Sequence, residues 1–225
     1  ATGQIGIDLL GTGDDAAKGS GSFVTLNDNG DGDTGGNGLT NMPVVQTATL
    51  RNGNLIVTGF SRTGALLDFY LAAPNAASLN ATGANFGQGQ TYLFSRSEGA
   101  SGNSAATIND QATTTGSYSG LINGFDQGAE NGVNRFSFSI PLSSLTADQQ
   151  TALTTAGVKL TATATQLTAA SGNFGTSEFS GNVPVQQAPV AANDVATTTA
   201  GTPVSVPVTS NDQNNIDPAA VALAD

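Results

Sequence analysis

From Pro43 onward the chain alternates apolar and polar residues in short runs, separated by stretches rich in glycine, asparagine and serine. A period of two puts successive side chains on opposite faces of an extended backbone, so it predicts strands over 44–50, 55–60, 66–72, 90–96, 134–140 and 158–165. Phe136, Phe138 and Ile140 then share one face, and Val158, Leu160, Ala162 and Ala164 share another. Between the first two runs stands Arg51-Asn52-Gly53-Asn54. Asn-Gly at that point predicts a two-residue hairpin, because both residues tolerate positive φ. One segment breaks the period. Thr146-Ala147-Asp148-Gln149 has the spacing of a capping box, and the run from there to Gly157 predicts a helix of about ten residues over 147–156.

The intervals between these elements divide the chain. Residues 1–40 hold one short apolar run, Ile5-Gly6-Ile7-Asp8-Leu9-Leu10, too little for a core of their own. The polar stretches 74–89 and 98–126 read as long loops, the places where a binding surface would lie. Asn182-Val183-Pro184-Val185-Gln186-Gln187-Ala188 reads as an extended, proline-punctuated linker. Beyond it, 195–200 and 203–209 predict two short strands joined at Gly201. The expected organisation is therefore 1–40, a main β domain over 41–181, a linker over 182–188, and a partial unit over 189–225.

Composition narrows the class. With 225 residues, 38% of them hydrophobic, the chain can bury a core, yet only 10% are charged, a low share that suits extracellular β modules. The net charge of −11, from 17 acidic against 6 basic residues, argues against nucleic acid or an anionic membrane as partner. The absence of Cys and His excludes disulfides, thiolate or ordinary zinc centres, haem ligation and His-based triads. No run of 18 apolar residues is present to cross a membrane as a helix. Without an initiator Met or a basic-apolar leader, the chain reads as a processed product or a segment of a longer one, secreted or held at the cell surface.

The acidic residues gather in loops, and one cluster has the spacing of a cation site. In Asn27-Asp28-Asn29-Gly30-Asp31-Gly32-Asp33, residues Asn27, Asn29 and Asp31 occupy positions 1, 3 and 5 of a calcium loop, and Gly32 the sharp turn at position 6. Gly38 stands where an EF-hand needs a bidentate Glu, so the expectation is a calcium-stabilised loop ligated by Asn27, Asn29, Asp31 and Asp33, not an EF-hand. The bland alternative is a series of Asn, Asp and Gly turns. Asn193, Asp194 and Asp212 form a second candidate cation group.

Other chemistry is sparse. A glycosidase needs two carboxylates across a cleft, and the three glutamates, Glu98, Glu130 and Glu178, show no spacing that pairs them, so no enzymatic role is expected. Serine nucleophiles would need Lys18 or Lys159 as partner. Lys159 in an apolar run could form an isopeptide crosslink, but a solvated strand lysine is the simpler reading. Phe86, Tyr92, Phe94, Tyr118 and Phe125 suit a buried core better than a ligand groove.

Three stretches resemble large secreted bacterial surface proteins. Ile5-Gly6-Ile7-Asp8-Leu9, followed by Gly30-Asp31-Gly32-Asp33-Thr34-Gly35 and Asn37-Gly38-Leu39-Thr40-Asn41-Met42-Pro43-Val44, is similar to the exit of a right-handed parallel β-helix into an Ig-like β-sandwich. Leu160-Thr161-Ala162-Thr163-Ala164-Thr165, with Gly172-Asn173 and Thr176-Ser177-Glu178-Phe179-Ser180, resembles the close of such a sandwich, although Gln166 to Ala170 replaces the short acidic turn usual there. Pro189-Val190-Ala191-Ala192-Asn193-Asp194, with Gly201-Thr202-Pro203-Val204 and Ser210-Asn211-Asp212, resembles the opening of a cadherin-like or bacterial Ig-like repeat.

Together these imply an all-β chain: a β-helix-like cap with a calcium loop, one Ig-like sandwich, and a partial C-terminal Ig-like unit. The expected role is a structural module of a surface filament or adhesin. It would assemble as a homo-oligomer or head-to-tail polymer by strand pairing, with Val204, Val206 and Val208 entering a neighbour's core. A monomeric module binding carbohydrate or a neighbouring cell surface is the alternative, and a secreted hydrolase the third reading.

Overall fold

The Asn52-Gly53 turn sets the first register. In the computed structural model, which describes residues 6–9, 24–32, 34–73, 85–99, 110–112, 114–167, 174–187 and 192–207, Asn52 and Gly53 have φ of 49° and 73°. Positive φ at both central residues matches the right-handed twist of the flanking strands, β1 (Val44–Arg51) and β2 (Asn54–Ser61). Downstream lie β3 (Leu66–Ala72), β4 (Gly89–Ser97), β5 (Thr115–Tyr118), β6 (Leu121–Ile122), β7 (Phe125–Asp126) and β8 (Glu130–Pro141). The helix α1 (Ala147–Leu153) precedes β9 (Lys159–Leu167), β10 (Phe174–Thr176) and β11 (Val183–Gln187).

The strands run in the order β4-β3-β9-β11-β1-β2-β8-β5, with β10 also on β9 and β6–β7 forming a separate hairpin. The chain is thus predominantly β, as the alternation predicts. The two halves of this order pack face to face. Phe69 of β3 lies 6.0 Å from Phe136 and 6.1 Å from Phe138 of β8, edge to face, although β3 and β8 are not sheet neighbours. Around these rings the inward positions of both halves, Val57, Leu67, Ile140, Leu160 and Ala162 among them, form one buried cluster. That cluster supplies the main driving force, at about 25 cal/mol for each Å² of apolar surface removed from water.

The capping box forms as its spacing requires: the Thr146 hydroxyl accepts the Gln149 N–H, and the Gln149 side chain accepts the Thr146 N–H. The helix stops at Leu153, short of the expected 156. Thr151, Thr154 and Thr155 turn their hydroxyls onto carbonyls one turn back, and the Thr154 N–H bonds Thr151 three residues before it, which tightens and ends the helix. Gln149 also donates to the Tyr92 carbonyl at 2.8 Å, and Arg96 to that of Ser95 at 2.6 Å, so side chains occupy carbonyls of the terminal strand β4.

Three further expectations differ from the structure. The supposed long loop 98–126 contains β5, β6 and β7. The supposed linker contains β11, whose Val183 is buried opposite Leu160. The tail strands do not form among the described residues: 192–207 carries a single turn, closed by Thr202 N–H on the Thr199 carbonyl with Gly201 at φ 79°. Two short strands alone are marginal in water, which accounts for the missing hairpin. The chain divides into one unit over Ala1–Val185 and another over Gln186–Asp225. Of residues 1–40, those described form an isolated bridge and a 3-10 turn over Gly36–Leu39, with no regular strand.

Candidate functional site

A buried polar group lies where the Asn27 loop meets the ends of β2, β5, β8 and β9, beside a small apolar cluster of Val44, Phe60, Tyr118 and Val133. The loop is seated by backbone first. Asn27 bridges Gly128, where a Cβ would overlap the Asn27 main chain, and the Ala129 N–H bonds the Asn27 carbonyl at 3.1 Å. The Asn27 side chain then works in both directions. Its oxygen accepts the Met42 N–H at 2.8 Å, while its nitrogen donates to the Met42 carbonyl and the Tyr118 hydroxyl, each at 2.7 Å.

The other loop residues are likewise engaged. The Asn29 oxygen accepts the Asn131 N–H at 3.0 Å. Asp31, buried, accepts the Asn41 N–H on Oδ1 at 2.8 Å and the Gln166 amide on Oδ2 at 2.9 Å. Arg62, just past the end of β2, closes the group: its Nη1 donates to Glu130 Oε1 at 2.5 Å, and its Nε lies 3.8 Å from Asp31 Oδ2. Glu130 is buried, with the Tyr118 hydroxyl 3.4 Å from its other oxygen. Beside them Gly30, Arg62, Thr63, Glu130, Asn131, Gly132 and Gln166 line an open cleft of about 240 Å³.

Burial sets the electrostatics here. It lifts the Glu130 carboxyl above the usual glutamate range, outweighing the opposing pull of Arg62 and the hydrogen bond from Asn41. The Tyr118 hydroxyl is raised as well, by burial first and then by the charge of Glu130, against the hydrogen bond from Asn27. Tyr118 is consequently a neutral donor at physiological pH.

Fit to calcium can be judged from the loop oxygens. Those of Asn27, Asn29 and Asp31 accept from Met42, Asn131 and Asn41, donors on two separate stretches of chain, and a guanidinium already stands beside Asp31. An ion needs such oxygens converged at 2.3–2.6 Å, so these residues fit it poorly. Asp33 lies outside the described residues, as do Asp212 and Val208, while Asp194 is exposed. Among the described residues no three acidic side chains are grouped to hold a metal.

The three glutamates serve different loops. Glu98 accepts the Gly64 N–H at 2.7 Å and the Asn134 amide at 2.8 Å. Glu178 accepts the Leu9 and Thr25 N–H groups at 2.7 and 2.8 Å, tying two N-terminal segments to the main unit. Asp110, not singled out from sequence, accepts from Gly99, Ala112 and Ser137. Phe86, Phe94 and Tyr118 are buried, Phe125 is half-buried, and Tyr92 and Lys159 are exposed. No protein-family model matches the chain, and no curated protein or solved structure matches it significantly.

Proposed function

We propose that this chain is a structural module of an extracellular bacterial surface filament or adhesin, an Ig-like sandwich whose C-terminal segment pairs with a sheet of another subunit. The observation that carries the reading is the tail. Val195, Val204 and Val206 are 89%, 49% and 36% exposed in a stretch that forms only one turn. β-branched residues at alternate positions favour a strand, and a strand needs a host. Main-chain pairing would supply affinity, with Val204 and Val206 setting register. Pro203 and Pro207 fit an added strand where their ring nitrogens face away from the ladder.

The buried carboxylates support a load-carrying role. Asp31, Glu98, Asp110, Glu130 and Glu178 each hold a loop in place, an investment in rigidity. On the acceptor side β4 is a poorer host, since Gln149 and Arg96 occupy two of its carbonyls; the short strand β5 at the other end of the order remains. Deleting residues 189–225 tests the reading by light scattering and electron microscopy. The full chain should polymerise, and the truncated chain should stay folded and monomeric. Identical fibres from both chains, or a monomeric full chain at high concentration, would discard strand donation. The tail would then be the start of a further repeat, and a glycan-binding module with Tyr92 and Phe174 as exposed aromatics would be the better reading.

A further inference from the structure

The Asn27 loop has the spacing of a cation site, and the structure already contains a cation there. Arg62 enters from the end of β2 and reaches both buried carboxylates, at 2.5 Å to Glu130 and 3.8 Å to Asp31. Its side chain is 29% exposed against 3% and 1% for those acids, so the positive charge plugs the mouth of the group from the solvent side. A divalent ion entering the same space would meet the guanidinium at close range. Gln166 Oε1, like Asp28 Oδ1 in the loop, is buried without a hydrogen-bond partner, and Gln166 lines the cleft while being itself almost wholly buried. A buried oxygen without a donor costs its full desolvation, so Gln166 keeps a spare acceptor beside the cleft that a further cation could use.

We infer that Arg62 is a tethered substitute for the metal ion, and that removing its charge uncovers a latent divalent-cation site built from Asp31, Glu130 and Gln166 Oε1. Two carboxylates and one amide oxygen are a hard-oxygen set of the kind calcium takes, with water completing the shell. Arg62 is the cationic partner of both carboxylates; without it neither has one, and a divalent ion would compete with a proton for Glu130. The loss of their shared cation is what would draw the ion in. This inference is independent of strand donation, because it concerns the seating of the loop and not the tail.

The test uses the full chain with thermal melts and calcium titration calorimetry. The wild-type melting temperature should be the same in excess EDTA and in millimolar calcium, with no binding heat. Arg62→Met should melt roughly 5–10 °C lower in EDTA, and millimolar calcium should return at least half of that loss. Magnesium should return less, since it demands a stricter octahedron. Arg62→Lys should remain insensitive to calcium, and Glu130→Gln added to Arg62→Met should abolish the calcium response. If Arg62→Met does not fold in either buffer, Arg62→Gln carries the same comparison with a neutral donor. A wild-type melt that falls in EDTA, or wild-type calcium binding lost in Asp31→Asn, would overturn the inference. So would neutral Arg62 variants that calcium does not stabilise.

Discussion

Two buried regions of the main unit are held by opposite means. Between the two halves of the sheet, Phe69, Phe136, Phe138 and their aliphatic neighbours form one apolar cluster, and any one of them can be lost at a cost set by the cavity left behind. Under the Asn27 loop, by contrast, Asn27, Asp31, Arg62, Tyr118, Glu130 and Gln166 are joined donor to acceptor. Removing one member there leaves its partner buried and unsatisfied. The apolar core therefore determines whether the main unit folds, and the polar one where a single loop sits.

The largest effect should come from the apolar side. Phe69→Ala removes the ring that stacks on Phe94 at 4.8 Å and meets Phe136 and Phe138 across the halves, and should destabilise the unit by about 3–5 kcal/mol. The check is the urea midpoint, with amides throughout the sheet losing exchange protection together. A loss confined to one half would mean the halves fold separately. Asp31→Asn should cost less, about 1–3 kcal/mol, because its amide would put a donor against the Gln166 amide or the Asn41 N–H. Hydrogen exchange should then open at Asn41 and the Asn27 loop while β8 stays protected. Equal loosening of β8 would erase the distinction between the cores.

The smallest effect is a pH dependence. Burial raises the folded-state pKa of Glu130, so its protonated form is the one the fold favours. Its stabilising contribution is complete below the ordinary glutamate pKa and is lost as pH rises through the raised value. Wild type should therefore gain stability relative to Glu130→Gln as pH falls through that window, measured as the difference between their melting temperatures. A difference that stays flat, or changes in the opposite direction, would place Arg62 above desolvation as the dominant influence.

How far sequence reading reached follows the same divide. Alternation located β1, β2, β3, β4, β8 and β9 to within a few residues, because a half-buried strand writes its burial into its own residues. The capping box at Thr146 and the Asn52-Gly53 turn were equally local. Missed elements lacked that signature: Thr115–Tyr118 has no alternating apolar set, and proline disguised β11. Asn123-Gly124, with φ of 57° and 88°, was a legible turn signal for β6–β7 inside the supposed loop. The polar core was not legible. Asp31 and Gln166 meet across 135 residues of sequence, and a carboxylate that binds a distant arginine has the same local spacing as one that binds calcium.

Ser177 and Ser180 bear on how the outer surface of this module was assembled. Each serine pairs with one alanine of β9 twice: the Ser177 N–H bonds the Ala164 carbonyl and its hydroxyl accepts the Ala164 N–H, both at 2.9 Å. Ser180 does the same with Ala162, at 2.8 and 2.9 Å. A hydroxyl thus performs the ladder duty of a missing carbonyl, and the backbone between the two serines is released from the sheet. Glu178 and Phe179 occupy that released stretch, one reaching Leu9 and Thr25 and the other the ring of Tyr70. Two small side chains have in effect turned a length of strand into a mooring point: the serines keep β9 bonded, while the residues between them hold Leu9, Thr25 and the Tyr70 ring.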